Sequence, residues 1–130
     1  MLIIGGGNIV HNLAASEWSR PHAGADWARR FDDAAHAVLE GRPNDLVELE
    51  RHSDFKHAVP TPDHFIPALY LGGLAAADTP SEVLVEGYAF GSLSMTSYPL
   101  EADCPDEAGG VGPGAQLPDP AVTSPEDTNM

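Results

Sequence analysis

Six histidines are the side chains of this sequence best suited to chemistry near neutral pH, because an imidazole gains and loses its proton there. They are His11, His22, His36, His52, His57 and His64. His11 follows a glycine run and His64 follows a proline-rich loop, so each is expected at the N-terminal end of a helix. In α/β proteins, sites form at such ends. We therefore single out His11 and His64 and interpret the other four as structural or solvated side chains.

The segment that contains His11 carries a strand signal followed by a helix signal. Residues 2–4 are apolar and run into three glycines, residues 5–7, which predicts a buried strand that enters a tight turn. Asn8 can cap a helix that reaches about Trp18 and holds His11 in its first turns. The residues predicted to face inward are Ile9, Val10, Leu13 and Ala14.

A second helix is predicted over residues 26–39, because apolar side chains recur there at spacings of three and four and Gly41 provides a stop. Its apolar positions are Trp27, Phe31, Ala34, Ala35 and Val38. Residues 43–50 and 51–58 are rich in charge and predict two shorter helical pieces.

A helix start signal surrounds His64. Thr61 is a preferred N-cap, Pro62 suits the first helical position, and Asp63 complements the positive end of the helix dipole. The apolar face that follows predicts a helix that ends at the two glycines at residues 72–73. His64 is therefore expected in the first turn of this helix.

Two strands are predicted near the end of the patterned sequence, over residues 83–85 and 93–98. The second of them alternates polar and apolar side chains, as a half-buried strand does. The order of strand, helices and strands predicts an α/β fold, a sheet flanked by helices.

The net charge of -14 argues against nucleic acid and anionic membrane surfaces as partners, because both would repel the chain. The longest uncharged apolar stretch, residues 65–77, is shorter than the roughly 20 residues of a spanning helix. The N-terminus lacks the positive segment of a secretory signal, and a single cysteine, Cys104, cannot form an internal disulfide. We therefore expect a cytoplasmic protein.

Residues 101–130 differ from the rest of the chain. They carry seven acidic residues and no basic one, and they are rich in proline and glycine without an apolar pattern. Such a composition cannot bury enough apolar surface to offset chain entropy. We predict one domain over residues 1–100 and a flexible acidic tail over 101–130.

The glycine run also allows a nucleotide-binding interpretation. Glycines between a strand and a helix are typical of the dinucleotide fingerprint, whose backbone amides hold a pyrophosphate. The third glycine of that fingerprint is replaced here by Val10, and a helix over residues 26–39 takes the place of its second strand. Nucleotide binding therefore remains the less favoured alternative.

Three sequence blocks resemble a known enzyme family. They are residues 3–13, IIGGGNIVHNL, residues 60–69, PTPDHFIPAL, and residues 91–95, GSLSM. In this order they are similar to the C-terminal half of the class III extradiol ring-cleavage dioxygenases, in the branch that resembles 4,5-DOPA dioxygenase. The resemblance spans most of residues 2–98 and rests on the blocks in combination.

The resemblance implies a mononuclear non-haem Fe(II) site, with zinc as a substitute metal, that inserts both atoms of O₂ into a DOPA-like catechol. Such iron needs open positions for the two catechol oxygens and for O₂. The histidine that matches His64 is expected to bind the metal, and the one that matches His11 to act as an acid-base catalyst. Asp63 is a rival oxygen ligand beside His64.

The resemblance also implies that a further half of the fold, with two more histidine ligands, lies outside this sequence. We expect either a fragment or a chain that folds against a separately encoded N-terminal half, with an exposed edge at residues 2–4. A catalytically dead remnant, or an interaction module of the same fold, is the alternative from another class.

Overall fold

The computed structural model describes residues 2–75 and 83–100, so the predicted tail over residues 101–130 lies outside the described residues. The α-helices are α1 (Asp26–Gly41), α2 (Phe55–Ala58) and α3 (Ile66–Leu74). Two 3₁₀ helices span Leu13–Ala15 and Pro43–Arg51, and the strands are β1 (Tyr88–Ala89) and β2 (Leu93–Ser94). None of the described helices is long and apolar enough to cross a membrane.

Helix α1 forms where the apolar spacing predicts it, although of the predicted apolar positions only Phe31 and Ala35 are buried, whereas Trp27, Ala34 and Val38 are partly buried. It begins at Asp26 and ends at Gly41, where the N–H of Arg42 donates to the carbonyl of Val38 at 2.7 Å. The side chains at spacings of three and four form its buried face, which is the centre of the core. These buried residues are Ala28, Phe31, Asp32, Ala35 and Leu39.

The start of α3 differs from the prediction. The helix begins at Ile66 rather than at Pro62, although the N–H groups of Phe65 and Ile66 both donate to the Pro62 carbonyl, at 2.9 and 2.8 Å. Pro67 has no N–H with which to continue this hydrogen-bond ladder. Residues 62–65 therefore form a separate turn, and His64 lies just before the helix.

The end of α3 also corrects the prediction, because the helix passes through Gly72 and ends at Leu74. A side chain at Gly72 would lie 2.6 Å from the carbonyl oxygen of Pro43. The glycine therefore permits α3 to pack closely on the 3₁₀ helix Pro43–Arg51. It serves a helix contact and not a helix stop.

The sheet is smaller than predicted. Strands β1 and β2 pair antiparallel, with Tyr88 opposite Ser94 and Ala89 opposite Leu93. Of the predicted strand over residues 83–85, only a single bridge remains, between Val85 and Ser97, and β1 was not predicted. Helices and an antiparallel pair of strands are consistent with an α/β class at this coarse level.

The predicted strand at residues 2–4 is wrong. This segment forms no strand, and Leu2 and Ile4 are 84% and 82% exposed. A strand needs a neighbouring strand to satisfy its backbone groups, and none of the described residues supplies one here.

The predicted helix over residues 8–18 is also wrong, except for the short 3₁₀ helix at Leu13–Ala15. Instead of capping a helix, the Asn8 side chain donates to the Ser94 carbonyl at 2.6 Å. Asn12 takes the capping role, accepting from the N–H of Ala15 at 3.1 Å. The strand and helix that a nucleotide-binding glycine run requires on either side are therefore not formed.

Candidate functional site

His11 lies in an extended segment that is held on both sides. Its N–H donates to the carbonyl of Ala58 at 2.9 Å, and the residue forms an antiparallel bridge with Leu93 of β2. The side chain of Asn12 donates to the carbonyl of His57 at 2.7 Å. The backbone of His11 is thus held between the hairpin formed by β1 and β2 and residues 57–58, and not at a helix N-terminus as predicted.

His64 lies in the turn that precedes α3, where two contacts fix its position. Phe65 is 3% exposed and packs against Phe31 of α1, with ring centroids 6.3 Å apart. On the other side, a side chain at Gly7 would overlap the carbonyl oxygen of His64. Because Gly7 has no side chain, the backbone of the glycine run, residues 5–7, can pack directly against the turn that contains His64.

The structure brings the two predicted residues together. The rings of His11 and His64 stack with their centroids 3.6 Å apart and their planes 9° from parallel. Nε2 of His64 lies 3.5 Å from Oδ2 of Asp63, and the His64 side chain is 38% exposed. One small molecule at this surface can contact both imidazoles, whereas the chemical roles predicted for them remain predictions.

Burial and neighbouring side chains act on the pKa of His11. Partial burial lowers the pKa of His11, and the nearby His64 lowers it further, while the Asp63 carboxylate raises it. The pKa of Asp63 is lowered, chiefly by a hydrogen bond from Thr61 and then by one from the backbone. A charged carboxylate therefore stands beside the ring pair.

The geometry does not provide a complete metal site. Within residues 2–75 and 83–100, no three His, Cys, Asp or Glu side chains are grouped so that they could hold a metal ion. The lone pair of an imidazole nitrogen lies in the plane of its ring, so two parallel rings 3.6 Å apart cannot both direct lone pairs at one ion. These residues alone do not form a complete iron centre, and the two rings cannot both bind one ion.

The other four histidines lie elsewhere. His22 is exposed in a turn, and His36 lies on α1. His52 lies shortly before α2, and His57 lies within it. Their partners are Glu40 for His36, the N–H of Asp54 for His52, and the Trp27 ring for His57.

Sequence reasoning missed two buried polar side chains, one that bonds to the backbone next to His11 and one that bonds to residues in and beside the strand pair. Ser94 accepts from the N–H of Val10 at 3.3 Å, and Asp32 is a carboxylate that is only 4% exposed. The available signal was an acidic residue on the apolar face of a predicted helix, one position after Phe31. Such a residue is buried only when hydrogen bonds compensate it.

Apolar side chains surround the N-terminal segment, residues 2–4, which precedes the glycine run. A cavity of about 470 Å³ is lined by Leu2, Ile3 and Ile4 together with Leu71, Tyr98 and Leu100, among others. A second cavity of about 350 Å³ reaches Asp63 and Tyr70. This surface therefore borders the His64 turn.

Comparisons with known proteins agree with the resemblance seen in the sequence blocks. No family model matches the chain. It is 33% identical over 104 residues to 4,5-DOPA dioxygenase extradiol of Escherichia coli strain K12, covering 77% of this chain and 38% of that protein. It is 31% identical over 104 residues to 4,5-DOPA dioxygenase extradiol of Portulaca grandiflora, covering 75% and 37%.

A solved structure is similar as well. The chain aligns with the crystal structure of uncharacterized protein JW3007 from Escherichia coli K12 at a TM-score of 0.64 and 34% identity, over 71% of this chain and 39% of that one. Helices, a strand pair and two facing imidazoles thus occur in a chain related to extradiol dioxygenases. The match to the 4,5-DOPA dioxygenase-like branch is confirmed, and the chain spans less than two fifths of the length of these relatives.

Proposed function

We propose that this chain is part of an extradiol ring-opening dioxygenase that acts on a DOPA-like catechol. The observation that carries the proposal is the stacked pair of His11 and His64, in a chain that matches two proteins named 4,5-DOPA dioxygenase extradiol over three quarters of its length. In this reaction both atoms of O₂ enter the product. The ring C–C bond beside the diol breaks, and an aldehyde and a carboxylic acid form at its ends.

His11 is proposed as the acid-base group of this reaction. A catechol hydroxyl must lose its proton before the ring becomes electron-rich enough to react, and an imidazole within reach can accept that proton. The support is geometric, because His11 lies against His64 and two backbone contacts hold it there.

His64 is proposed as one protein ligand of Fe(II), or of zinc as a substitute. Its partly exposed ring and the parallel stacking support a division in which His64 binds the metal and His11 does not. Since the described residues lack a three-residue group, further ligands would have to come from polypeptide outside them.

The apolar surface at residues 2–4 is proposed to contact that polypeptide. Leu2, Ile3 and Ile4 are 84%, 49% and 82% exposed, and two cavities border them. The relatives carry more than three fifths of their length beyond the part that this chain matches. We propose that the equivalent of this remainder, an N-terminal half supplied separately or within a longer chain, packs on this surface.

The test is to express the 130-residue chain together with the portion of the Escherichia coli relative that it does not span. The purified pair, loaded with Fe(II) in air, should consume one O₂ per 3,4-dihydroxyphenylalanine and yield a yellow ring-opened product. His64→Ala should lose both iron and activity, since it removes a ligand. His11→Gln should keep iron and lower kcat by about 10²–10⁴-fold, as loss of an acid-base group does.

The matched control is His22→Ala, because His22 is an exposed histidine in a turn. It should leave iron content and kcat unchanged. If His64→Ala and His11→Gln both behave like His22→Ala, the assigned roles are wrong. If an iron-loaded pair consumes no O₂ with any catechol, the proposed reaction is wrong.

A catalytically inactive interaction module is the second candidate. The incomplete metal site among the described residues is the observation that favours it. A stable complex that retains no iron and consumes no O₂ would support this candidate over the enzyme.

A further inference from the structure

A buried carboxylate lies between helix α1 and the β1–β2 hairpin. Asp32 is 4% exposed on the inner face of α1, and its Oδ2 accepts from the hydroxyl of Tyr88 at 3.0 Å and from that of Thr96 at 2.8 Å. Tyr88 belongs to β1, and Thr96 lies two residues after β2. A single carboxylate oxygen therefore ties both arms of the hairpin to α1.

The hairpin in turn holds the segment of His11. The N–H of Ser94 donates to the carbonyl of Val10 at 3.1 Å, and the N–H of Asn12 donates to the carbonyl of Ser92 at 3.1 Å. His11 itself is paired with Leu93 between these two bonds. A displacement of β2 would therefore move the His11 imidazole with it.

The residue before Asp32 on α1 connects to the other histidine. Phe31 is fully buried, and its ring lies 6.3 Å from that of Phe65 and 5.9 Å from that of Phe55. Phe65 directly follows His64. Two adjacent residues of α1 are thus connected to the two histidine segments. Phe31 packs on Phe65, next to His64, and Asp32 bonds to the strand pair that holds the segment of His11.

We propose that Asp32 is a positioning residue that sets the His11 ring against the His64 ring by fixing the β1–β2 hairpin to α1. Burying a carboxylate is unfavourable compared with burying an apolar side chain of similar size, so packing alone does not account for an aspartate here. Burial raises the pKa of Asp32, whereas the hydrogen bonds from Thr96 and Tyr88 lower it and so favour the charged carboxylate. Hydrogen bonds to a carboxylate are shorter and stronger than those to a neutral acceptor, which suits a positional role. The inference concerns geometry and holds whatever reaction the pair serves.

Two other contacts limit the size of the expected effect. The N–H of His11 donates to Ala58, and Asn12 donates to the carbonyl of His57. These bonds retain the His11 segment when Asp32 is replaced. Loss of the carboxylate should therefore tilt or displace the His11 ring and leave the chain folded.

The test is NMR of the full 130-residue chain with Asp32→Ala, Asp32→Asn and the matched control Asp33→Ala. Asp33 is an exposed carboxylate on the same helix. In the unsubstituted chain, the stacked rings should give a cross-relaxation peak between His11 and His64 and ring-current shifts of their C–H signals. Asp32→Ala should lose that peak and shift His11, while Asp32→Asn should retain part of it because its amide oxygen can still accept both hydroxyls.

Asp33→Ala should leave these signals unchanged, and so should His22 in every variant. A folded Asp32→Ala chain with the His11–His64 peak intact would overturn the inference. If Asp32→Ala does not fold, Tyr88→Phe and Thr96→Val each remove one of the two hydrogen bonds and keep the carboxylate. Shifts confined to His11 and its neighbours would then support positioning, whereas equal shifts at His22 would overturn it.

Ring-opening activity is a separate readout. Loss of the His11–His64 peak without any catechol turnover in the unsubstituted complex would retain this inference and reject the proposed function. Intact stacking in Asp32→Ala together with normal turnover would reject this inference and retain the proposed function.

Discussion

Apolar side chains are buried on helix α1 and exposed in the N-terminal segment, residues 2–4. On α1, Phe31 and Leu39 are 0% and 1% exposed, whereas Leu2 and Ile4 of the N-terminal segment are 84% and 82% exposed. Both regions carry apolar residues in a clear pattern. The difference is that the partners of α1 lie within the described chain, while residues 2–4 face cavities. An apolar pattern predicts burial only when a partner is present.

The largest effect that separates the two regions is expected from Phe31→Ala. Removing this fully buried ring should lower the free energy of unfolding by about 3–5 kcal/mol, because the cavity left behind cannot fully collapse. The matched substitution Ile4→Ala should change it by less than about 0.5 kcal/mol, since the side chain is already in water. Urea unfolding of both variants measures this, and equal losses would remove the distinction between the two regions.

A smaller effect on stability is expected at Gly7, where the glycine run contacts the turn that contains His64. Gly7→Ala should lower the free energy of unfolding by about 1–3 kcal/mol, because its methyl group would overlap the His64 carbonyl. It should also move the imidazole signals of His64. Gly6→Ala is the control, since nothing lies within 4 Å of the position that its methyl group would occupy. If the two variants unfold alike, the close approach of the glycine run to His64 is not present in solution.

The smallest effect is expected at the surface of α1. The Arg30 guanidinium donates to Asp54 at 2.9 and 3.1 Å, and this hydrogen bonding is the main reason that the pKa of Asp54 is lowered. A lowered folded-state pKa stabilises the chain above the ordinary pKa of the carboxyl, and that stability is lost as the pH falls through the folded value.

Asp54→Asn should therefore be slightly less stable than the unsubstituted chain at neutral pH, and the difference should shrink in acid. The unfolding temperatures of the two proteins, compared from neutral pH down to acid, measure this difference. Arg30→Gln should cause a similar loss, and the double variant should lose less than the sum. A difference that grows in acid would contradict the lowered pKa of Asp54.

Local signals predicted some elements well. Helix α1 was predicted from apolar spacing and a glycine stop, and it forms from Asp26 to Gly41. Its hydrogen bonds join residues four apart, so the information that specifies it lies within the helix. The sequence also singled out His11 and His64, whose rings the structure brings together, although His11 lies in an extended segment and not at a helix start.

Long-range contacts decided what the sequence could not indicate. Strand β1 consists of two residues and has no apolar alternation by which it could be recognised. Asn8 looks like a helix cap in the sequence, but its side chain donates to Ser94, 86 positions away. Val10 likewise pairs with β2 rather than with a neighbouring turn. Here pairing across the fold overrides local propensity.

By itself, the sequence determined helix α1 and the histidine-bearing blocks that match the 4,5-DOPA dioxygenase relatives. Only the tertiary structure decided that His11 and His64 stack face to face, and that Asp32 accepts hydrogen bonds from Tyr88 and Thr96. The physical reason is distance along the chain. A helix is specified by neighbours within a few residues, whereas a ring stack depends on how separate segments pack around one core.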